Sequence, residues 1–217
     1  MEFLLLVKTK ILSFIIRNIN GDVSDNTSKF YQINKIWRNI KLDQISGDYI
    51  EFGIYKGKSL YHSVKSAKRI RINEDRIFWG LDSFEGFPVE NHNFYKNENF
   101  TSSYEKVLNQ FSKFTEVKII KGFFSEELQK EPLSEIKKVS FAFVDCDIYE
   151  SASEVFEFLK PRMQNGGFIM IDDFTSLDQN KNTISKTFFE NYKINEEVFT
   201  FGHYSNGIVF RYLNLHE

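Results

Sequence analysis

The sequence predicts an α/β fold in which a mostly parallel sheet carries helices on both faces and ends in an antiparallel hairpin. Three observations support this prediction. Five short apolar segments, from "DYIEF" to "FIMID", alternate with segments of helical spacing, as in parallel strands joined by crossover helices. These strands are continuously apolar, which indicates burial on both faces. Near the C-terminus, "EEVFTFGH" and "GIVFRYLN" flank Asn206 and Gly207, the strongest short signal for a hairpin.

The spacing of apolar residues assigns the remaining elements in order. Residues 4, 7, 11, 14 and 15 are apolar and share one face of a predicted first helix. Residues 22–28 are polar and turn-like, and residues 29–40 resume helical spacing. Strands are predicted at "DYIEF", "RIFWGLDSF", "VKIIKGFF", "VSFAFVD" and "FIMID". Further helices are predicted over 59–70, within 94–114, over 125–133, over 151–163 with Gly166 and Gly167 as the stop, and over 183–192.

The length and the charge balance restrict the class of protein. A chain of 217 residues suffices for one domain with a full core. We expect a helical segment over residues 1–45, packed on the core or on a partner subunit, and a main domain over 46–217. The net charge of −2 at pH 7 gives no bulk attraction to nucleic acid, so nucleic-acid binding is disfavoured.

The N-terminal sequence "MEFLLLVKTKILSFIIRNING" is apolar but carries Lys8, Lys10 and Arg17. No run approaches the roughly 20 apolar residues of a spanning helix, and the pattern does not fit a signal peptide. Packing on the body or in a homodimer is favoured over attachment to a membrane surface. The single cysteine, Cys146, excludes an internal disulfide and suggests a reducing compartment, so we expect a cytoplasmic protein.

The first predicted strand leads through Glu51 into a turn bracketed by Gly53 and Gly57. Glycines at such a turn let the backbone approach a ligand. The spacing is not the G-x-G-x-x-G of a dinucleotide site, and Glu51 favours a cationic ligand over a phosphate. A glycine turn without any ligand is the alternative.

The second and third predicted strands end in features that suit a nucleoside. Asp82 is placed to accept hydrogen bonds from a ribose diol, with Ser83 or Phe84 at the border of an adenine. Gly122 and Phe123 follow the third strand, where an adenine ring could lie against an aromatic wall. The alternatives are a capping or turn role for the aspartate and a plain helix start after the third strand.

Four aspartates, Asp145, Asp147, Asp172 and Asp173, follow the fourth and fifth predicted strands. Because like charges repel and isolated buried charges are expensive, a positive species must lie between them. Carboxylate oxygens are hard ligands that suit magnesium, manganese or calcium. Capping of the following helices, for example by Asp147, is the alternative for one or two of the four.

Other catalytic chemistries find no support in the sequence. The four histidines, His62, His92, His203 and His216, are scattered without metal-ligand spacing, and no G-x-S-x-G elbow follows a strand. Cys146 lies between two acids that would raise the pKa of its thiol, which disfavours a thiolate nucleophile.

Five motifs in this order, "GDYIEFGIYKGKS", "GLDSFEGFP", "KGFF", "VDCDIYES" and "GGFIMIDDF", resemble those of the macrocin O-methyltransferase family. The resemblance covers residues 47–174. It implies the class I methyltransferase fold, which is Rossmann-like, with seven strands and an antiparallel last strand. It further implies an S-adenosylmethionine-dependent O-methyltransferase that acts on sugar hydroxyls with magnesium or manganese.

The resemblance also implies roles for individual residues. At the cofactor it implies Glu51, Gly53, Gly57 and Ser59 beside the methionine part, Asp82 at the ribose, and Ser83, Phe84, Gly122 and Phe123 near the adenine. At the reacting centre it implies that Asp145, Asp172 and Asp173 bind the metal and that Asp145 also lies beside the cofactor. It places Asp147 and Tyr149 beside the acceptor. The proton acceptor would be Asp147 or Asp145. The chain departs from the family pattern at Lys58, where the family commonly has a second glycine, and over 91–103, which matches no substrate lid.

The acceptor that the family implies is a hydroxyl of a sugar, in a polysaccharide, glycolipid or secondary metabolite. A nicotinamide-dependent oxidoreductase is one alternative, although the sequence lacks its pyrophosphate turn. A non-catalytic binding protein with the same fold is another, for which the intact acidic set is unexpected. A metal-dependent phosphatase or hydrolase would leave the nucleoside-like strand ends without a role.

Overall fold

The structure is a computed structural model that describes residues 2–89 and 96–214. Within these residues seven strands form one sheet. They are β1 (Asp48–Phe52), β2 (Phe78–Asp82), β3 (Val117–Lys121), β4 (Val139–Val144), β5 (Met163–Ile171), β6 (Val198–Tyr204) and β7 (Gly207–Tyr212). The helices are α1 (Glu2–Asn18), α2 (Gly21–Leu42), α3 (Lys58–Arg69), α4 (Tyr104–Phe111), α5 (Phe124–Glu127), α6 (Tyr149–Leu159) and α7 (Ile184–Asn191), with 3₁₀ turns at Asn97–Asn99 and Leu133–Glu135.

The strand order is β3-β2-β1-β4-β5-β7-β6. Strands β1 to β5 are parallel, and β7 pairs antiparallel with both β5 and β6. The predicted fold class and the C-terminal hairpin are therefore confirmed. The chain runs outward from β1 to β3 and then returns to β4 on the other side of β1. This reversal opens a crevice at the carboxyl ends of β1 and β4, where ligands bind in such sheets.

Helices cover both faces of the sheet. On one face, the ring of Trp37 in α2 lies 5.4–5.8 Å from the rings of Tyr49, Phe78 and Phe141, measured between centroids. Its indole N–H donates to Ser63 Oγ in α3 at 2.9 Å, so the buried polar atom is satisfied. On the opposite face α6 and α7 pack on the sheet. Strands β1, β2, β4 and β5 are thus largely buried, as their continuous apolar sequences predicted, whereas the edge strand β3 is only partly buried.

Residues 22–28, predicted to form a turn, are helical, so that prediction is wrong. The oxygen of the Asn20 side chain caps α2 by accepting from the backbone N–H of Asp22 at 2.8 Å. The Asn26 side chain donates to the carbonyl of Asp22 one turn earlier, at 2.7 Å, so polar side chains are satisfied within the helix itself. The early start places Lys29 in the third turn of α2 and not at its beginning, and the lysine reaches the ends of β4 and β5.

The predicted helix stop at Gly166 and Gly167 is also wrong, because α6 ends at Leu159 and both glycines lie within β5. Gly166 has φ +84°, and a Cβ on Gly167 would lie 3.0 Å from the carbonyl oxygen of Ser140. These glycines therefore allow β5 to approach β4 closely. The helix predicted over 125–133 reduces to the single turn of α5 and a separate 3₁₀ turn.

Helix α1 leaves its apolar side chains largely exposed. Ile11, Phe14 and Ile15 each expose more than half of their surface. Among the helices in the described part of the chain, none is long and apolar enough to cross a membrane. The association of α1 with a partner subunit or a membrane surface stays a prediction, as does the boundary near residue 45.

Candidate active site

The carboxyl ends of the parallel strands enclose a cavity of about 660 Å³, within the usual range for small-molecule sites. Its walls come from the loops after β1, β2, β3, β4 and β5 and from α6. The lining includes nine of the residues predicted from the strand ends, namely Gly53, Asp82, Ser83, Gly122, Phe123, Asp145, Asp147, Asp172 and Asp173. The structure therefore brings the predicted nucleoside features and the acidic cluster onto one cavity.

The turn after β1 depends on Gly53. Its φ is +88°, and a Cβ at this position would overlap the carbonyl oxygen of Asp145. The backbone N–H of Gly53 donates to the carbonyl of Leu81 at 2.8 Å, which extends the pairing of β1 with β2 beyond the strand. Gly57, with φ +73°, precedes α3 but does not line the cavity.

We expect Gly53→Ala to destabilise the protein by more than about 3 kcal/mol, because the new methyl group must displace the backbone of Asp145 and the positive φ adds strain. The measurement is urea unfolding followed by circular dichroism. Gly21→Ala is the matched control, since a Cβ there has nothing within 4 Å. Equal stability of the two variants would show that the turn can relax.

Glu51 lies beneath this turn and does not line the cavity. It is fully buried and accepts hydrogen bonds from the hydroxyls of Tyr49 and Ser59. Burial raises the pKa of its carboxyl to about 7, although both hydroxyl donors oppose the shift. The resemblance implies that Glu51 and Ser59 lie at the cofactor. In the structure neither lines the cavity, and the hydrogen bond between them stabilises the turn from beneath.

We expect the wild-type protein to lose stability relative to Glu51→Gln as the pH rises from 5 to 8. The folded pKa of about 7 exceeds the ordinary value of 4.5, so the folded state binds the proton more tightly. The stability present below pH 4.5 is lost as the pH passes through 7, by about 3 kcal/mol in total. Urea unfolding at several pH values measures this, with Glu74→Gln at an exposed position as the control for lost charge. A difference between wild type and Glu51→Gln that does not vary with pH would contradict the prediction.

Asp82 ends β2 at the cavity wall and organises two loops. One oxygen accepts from the backbone N–H of Tyr55 and the other from that of Phe84, both at 2.7 Å. Burial raises the pKa of this carboxyl, against the effect of these two donors. The predicted turn role and a ligand role are compatible, because each carboxylate oxygen can accept a second hydrogen bond. Ser83 lines the cavity, whereas Phe84 is buried against Tyr104 away from it.

The four predicted aspartates meet at the other side of the cavity. The backbone N–H groups of Asp145 and Asp172 donate to the carbonyls of Phe52 and Val144, both at 2.9 Å, so sheet pairing continues through both residues. Asp147 and Asp173 have φ +63° and +45°, left-handed conformations that aspartate tolerates better than most residues. Their carboxyl groups come within hydrogen-bonding distance of each other.

A positive charge enters this cluster from α2. The ammonium of Lys29 lies 3.1 Å from Asp145 Oδ2 and 2.5 Å from Asp172 Oδ2, and all three side chains are less than one-fifth exposed. Burial disfavours the charged form of Lys29, but attraction to the two carboxylates outweighs it and raises the pKa of the amine. The sequence analysis expected a divalent cation to supply the positive charge here; Lys29 supplies part of it and was not foreseen.

One ammonium does not balance four carboxylates. Burial raises the pKa of Asp147, and the neighbouring Asp145 and Asp173 carboxylates raise it further. The donor set is made only of hard oxygens, so its chemistry fits magnesium or manganese. As the side chains are placed, no three acidic, histidine or cysteine residues among those described converge closely enough to hold an ion.

The structure bears on two expectations from the sequence, a capping role for Asp147 and the place beside the acceptor that the resemblance implies for Tyr149. Helix α6 is capped at Ile148 without a side-chain hydrogen bond, so Asp147 does not cap it. Tyr149 does not line the cavity; its hydroxyl donates to Glu190 of α7 at 3.3 Å. It lies about 200° around α6 from Ser151, which does line the cavity.

The other reactive side chains among the described residues are two histidines outside the cavity and one cysteine in its wall. His62 stacks on Phe30 with ring centroids 4.3 Å apart, His203 lies in β6, and His92 and His216 lie outside the described residues. Cys146 contributes to the lining, but burial, together with Asp147 and Asp145, raises the pKa of its thiol well above the ordinary value. A thiolate nucleophile is therefore disfavoured, as predicted.

Comparison with known proteins decides the family. The model of the macrocin O-methyltransferase (TylF) family matches residues 26–211. The chain belongs to this family. Its members among curated proteins include 8-demethyl-8-(2,3-dimethoxy-alpha-L-rhamnosyl)-tetracenomycin-C 4'-O-methyltransferase of Streptomyces olivaceus, 28% identical over 146 residues. Mycinamicin III 3''-O-methyltransferase of Micromonospora griseorubida is 25% identical over 148 residues. The matches cover 61% of this chain and 54% and 57% of the two relatives, so the chain spans about half of their length.

Solved structures agree with the class I methyltransferase fold. The O-methyltransferase NovP gives a TM-score of 0.71 at 20% identity, over 86% of this chain and 80% of that chain. The calicheamicin methyltransferase CalS11 gives 0.64 at 15% identity, over 94% and 90%. At these identities the likeness shows the fold alone.

Several cavity residues of this macrocin O-methyltransferase family member were missed by sequence reasoning. Ser151 and Glu154 of α6 line the cavity, and their spacing of three on one helix face could have indicated them. Phe124 and Ser125 in α5 and Phe100 also line it. For Phe100, which follows the residues that the structure leaves undescribed, the sequence carries no such periodic signal.

Proposed function

We propose that this protein transfers a methyl group from S-adenosylmethionine to a hydroxyl of a sugar or of a glycosylated small molecule, assisted by magnesium or manganese. The single observation that carries the proposal is that Asp82 and the cluster of four aspartates line the same cavity. A nucleoside-binding acid and a set of hard oxygen ligands on one cavity suit this reaction better than hydride transfer. The names of the two curated relatives, both O-methyltransferases with numbered acceptor positions, favour a glycosylated acceptor.

The donor would lie against the loops after β1, β2 and β3. Asp82 would accept from the ribose hydroxyls through lone pairs that its two backbone donors leave available. Phe123 and Phe124 would offer an aromatic wall to the adenine. The backbone at Gly53 would lie beside the methionine part, with Glu51 and Ser59 fixing the turn from below.

The acceptor would lie at the aspartate cluster, with Asp147 as the base. In the reaction the S–CH₃ bond breaks, the O–CH₃ bond forms, and the hydroxyl proton passes to the Asp147 carboxylate. A carboxylate whose pKa is raised by burial and by neighbouring acids accepts a proton more readily than an exposed one. Asp145, Asp172 and Asp173 would hold the divalent cation, which supplies Lewis-acid stabilisation of the developing alkoxide.

The test is incubation of the protein with methyl-labelled S-adenosylmethionine, a panel of nucleotide-sugars and glycosides, and Mg²⁺, Mn²⁺ or excess chelator. We expect label in one class of sugar hydroxyl, lost in chelator and restored by the cation. An acceptor already methylated at that hydroxyl is the matched control. Binding of the donor with no transfer to any sugar would contradict the acceptor class, and full transfer in chelator would contradict the role of the cation.

A further inference from the structure

The proposed mechanism leaves Lys29 without a role, although it is the cation that lies closest to the aspartate cluster among the described ion pairs there. Its ammonium contacts Oδ2 of Asp145 and Oδ2 of Asp172, so one side chain joins the ends of β4 and β5. The ammonium also lies 5.4 Å from the ring centroid of Phe143, on the approach from α2.

The position of Lys29 is fixed by the packing of α2. Four residues later on the helix, Ile33 is fully buried, and so is Trp37 one further turn along. Gln32 Nε2 donates to the carbonyl of His203 in β6 at 2.9 Å. The buried side chains and this hydrogen bond therefore fix α2 on one face of the sheet, and the ion pairs are built into the fold.

The chemistry of the cluster defines what Lys29 does. Asp145 and Asp172 are two of the three residues proposed to bind the cation, and the ammonium already neutralises part of their charge. A positive charge next to a cation site repels the cation. The repulsion between two buried positive charges is strong because solvent and salt screen it weakly. Without Lys29, however, the carboxylates would face each other with no counter-charge.

We propose that Lys29 is an internal counter-ion that keeps the aspartate cluster assembled without metal and weakens the binding of divalent cations to it. This inference rests on the proposed function for the identity of the cation ligands. Its consequence is that the free protein binds the cation weakly while its site remains formed. Lys29 is a positioning residue in this role, since it acts through Asp145 and Asp172.

The test compares wild type with Lys29→Met and Lys35→Met, using Mn²⁺ alone, without donor or acceptor. Lys35 is the matched control: it lies on the same helix but contacts the ring and the carbonyl of Phe201, not a carboxylate. Electron paramagnetic resonance of free Mn²⁺ gives the dissociation constant, and thermal unfolding in chelator or in Mn²⁺ gives the stability.

We expect Lys29→Met to bind Mn²⁺ at least tenfold more tightly than wild type and to unfold at a lower temperature than wild type in chelator. Its unfolding temperature should rise more on addition of Mn²⁺ than that of wild type. Lys35→Met should bind within twofold of wild type. If Lys29→Met does not fold without metal, Lys29→Gln, which keeps hydrogen-bond donors but not the charge, is measured instead and should also bind more tightly. Mn²⁺ affinity that is equal to or weaker than that of wild type overturns the inference, and so does the absence of Mn²⁺ binding by all variants.

These outcomes are separable from a failure of the proposed function. Methyl transfer that persists in chelator would remove the cation from the reaction, yet the Mn²⁺ affinities would still report on Lys29. Conversely, cation-dependent transfer with unchanged affinity in Lys29→Met would leave the enzyme function in place and refute the counter-ion role.

Discussion

Asp145→Asn is expected to lower kcat for methyl transfer by about 10³-fold, about 4 kcal/mol of transition-state stabilisation. Asp145 lies at the centre of the cluster, between Lys29 and the cavity. Asparagine keeps the size of the side chain and one oxygen but removes the charge that holds a cation. Lys29 retains its ion pair with Asp172, so the variant leaves no buried ammonium unpaired and should fold.

The measurement is single-turnover transfer of labelled methyl at saturating donor and Mg²⁺, together with the dissociation constant of S-adenosylmethionine by titration calorimetry. We expect that constant to change by less than about threefold, because the main proposed donor contacts lie at Asp82 and the loops near it. Asp75→Asn, at an exposed position, is the control. Turnover within threefold of wild type would exclude Asp145 from the reacting centre.

Asp82→Asn is expected to weaken the binding of S-adenosylmethionine about 30-fold, about 2 kcal/mol, because hydrogen bonds to a charged acceptor are worth about that much. The variant should also be less stable, since the amide can serve only one of the backbone N–H groups of Tyr55 and Phe84 as an acceptor. The binding measurement therefore needs a control that separates affinity from stability.

Asp48→Asn supplies that control. Asp48 begins β1, at the amino ends of the parallel strands and away from the cavity. Its two oxygens likewise accept from two N–H groups, the backbone N–H of Ile77 at 3.0 Å and the indole N–H of Trp79 at 2.9 Å. It should lose stability to a similar extent and keep the donor affinity of wild type. Similar weakening of donor binding in both variants would mean that Asp82 acts only through the fold.

The parallel sheet and the convergence of the acids were predictable because both follow from local pattern. Continuous apolar strands alternating with helical spacing require a buried parallel sheet, and the residues that follow its strands must meet at one edge. Asp82, Asp145 and Asp172 are each placed by that rule alone. The resemblance of the five motifs added the chemistry that it implies for the site, which the topology by itself does not contain.

Three placements were not foreseen from the sequence, and only one of them depends on long-range contacts. Lys29 is 116 residues from Asp145 in the sequence, and it follows a polar segment whose composition resembles a turn. Glu51 shares a strand face with Tyr49, so the period of two directs it under α3 and away from the cavity. Tyr149 faces α7 because of its position around α6. The first depended on tertiary contacts, whereas the other two follow from strand and helix geometry.

The left-handed backbone at Asp147 and Asp173 limits how the proposed site could be redesigned. A glutamate at either place would keep the charge, yet it would adopt that backbone less readily than the native residue, and a β-branched side chain would do so least of all. Asparagine and glycine are the replacements that the main chain accepts. A library aimed at a different ion or acceptor would therefore do better to vary Ser151 and Glu154, which line the cavity from an ordinary helical backbone.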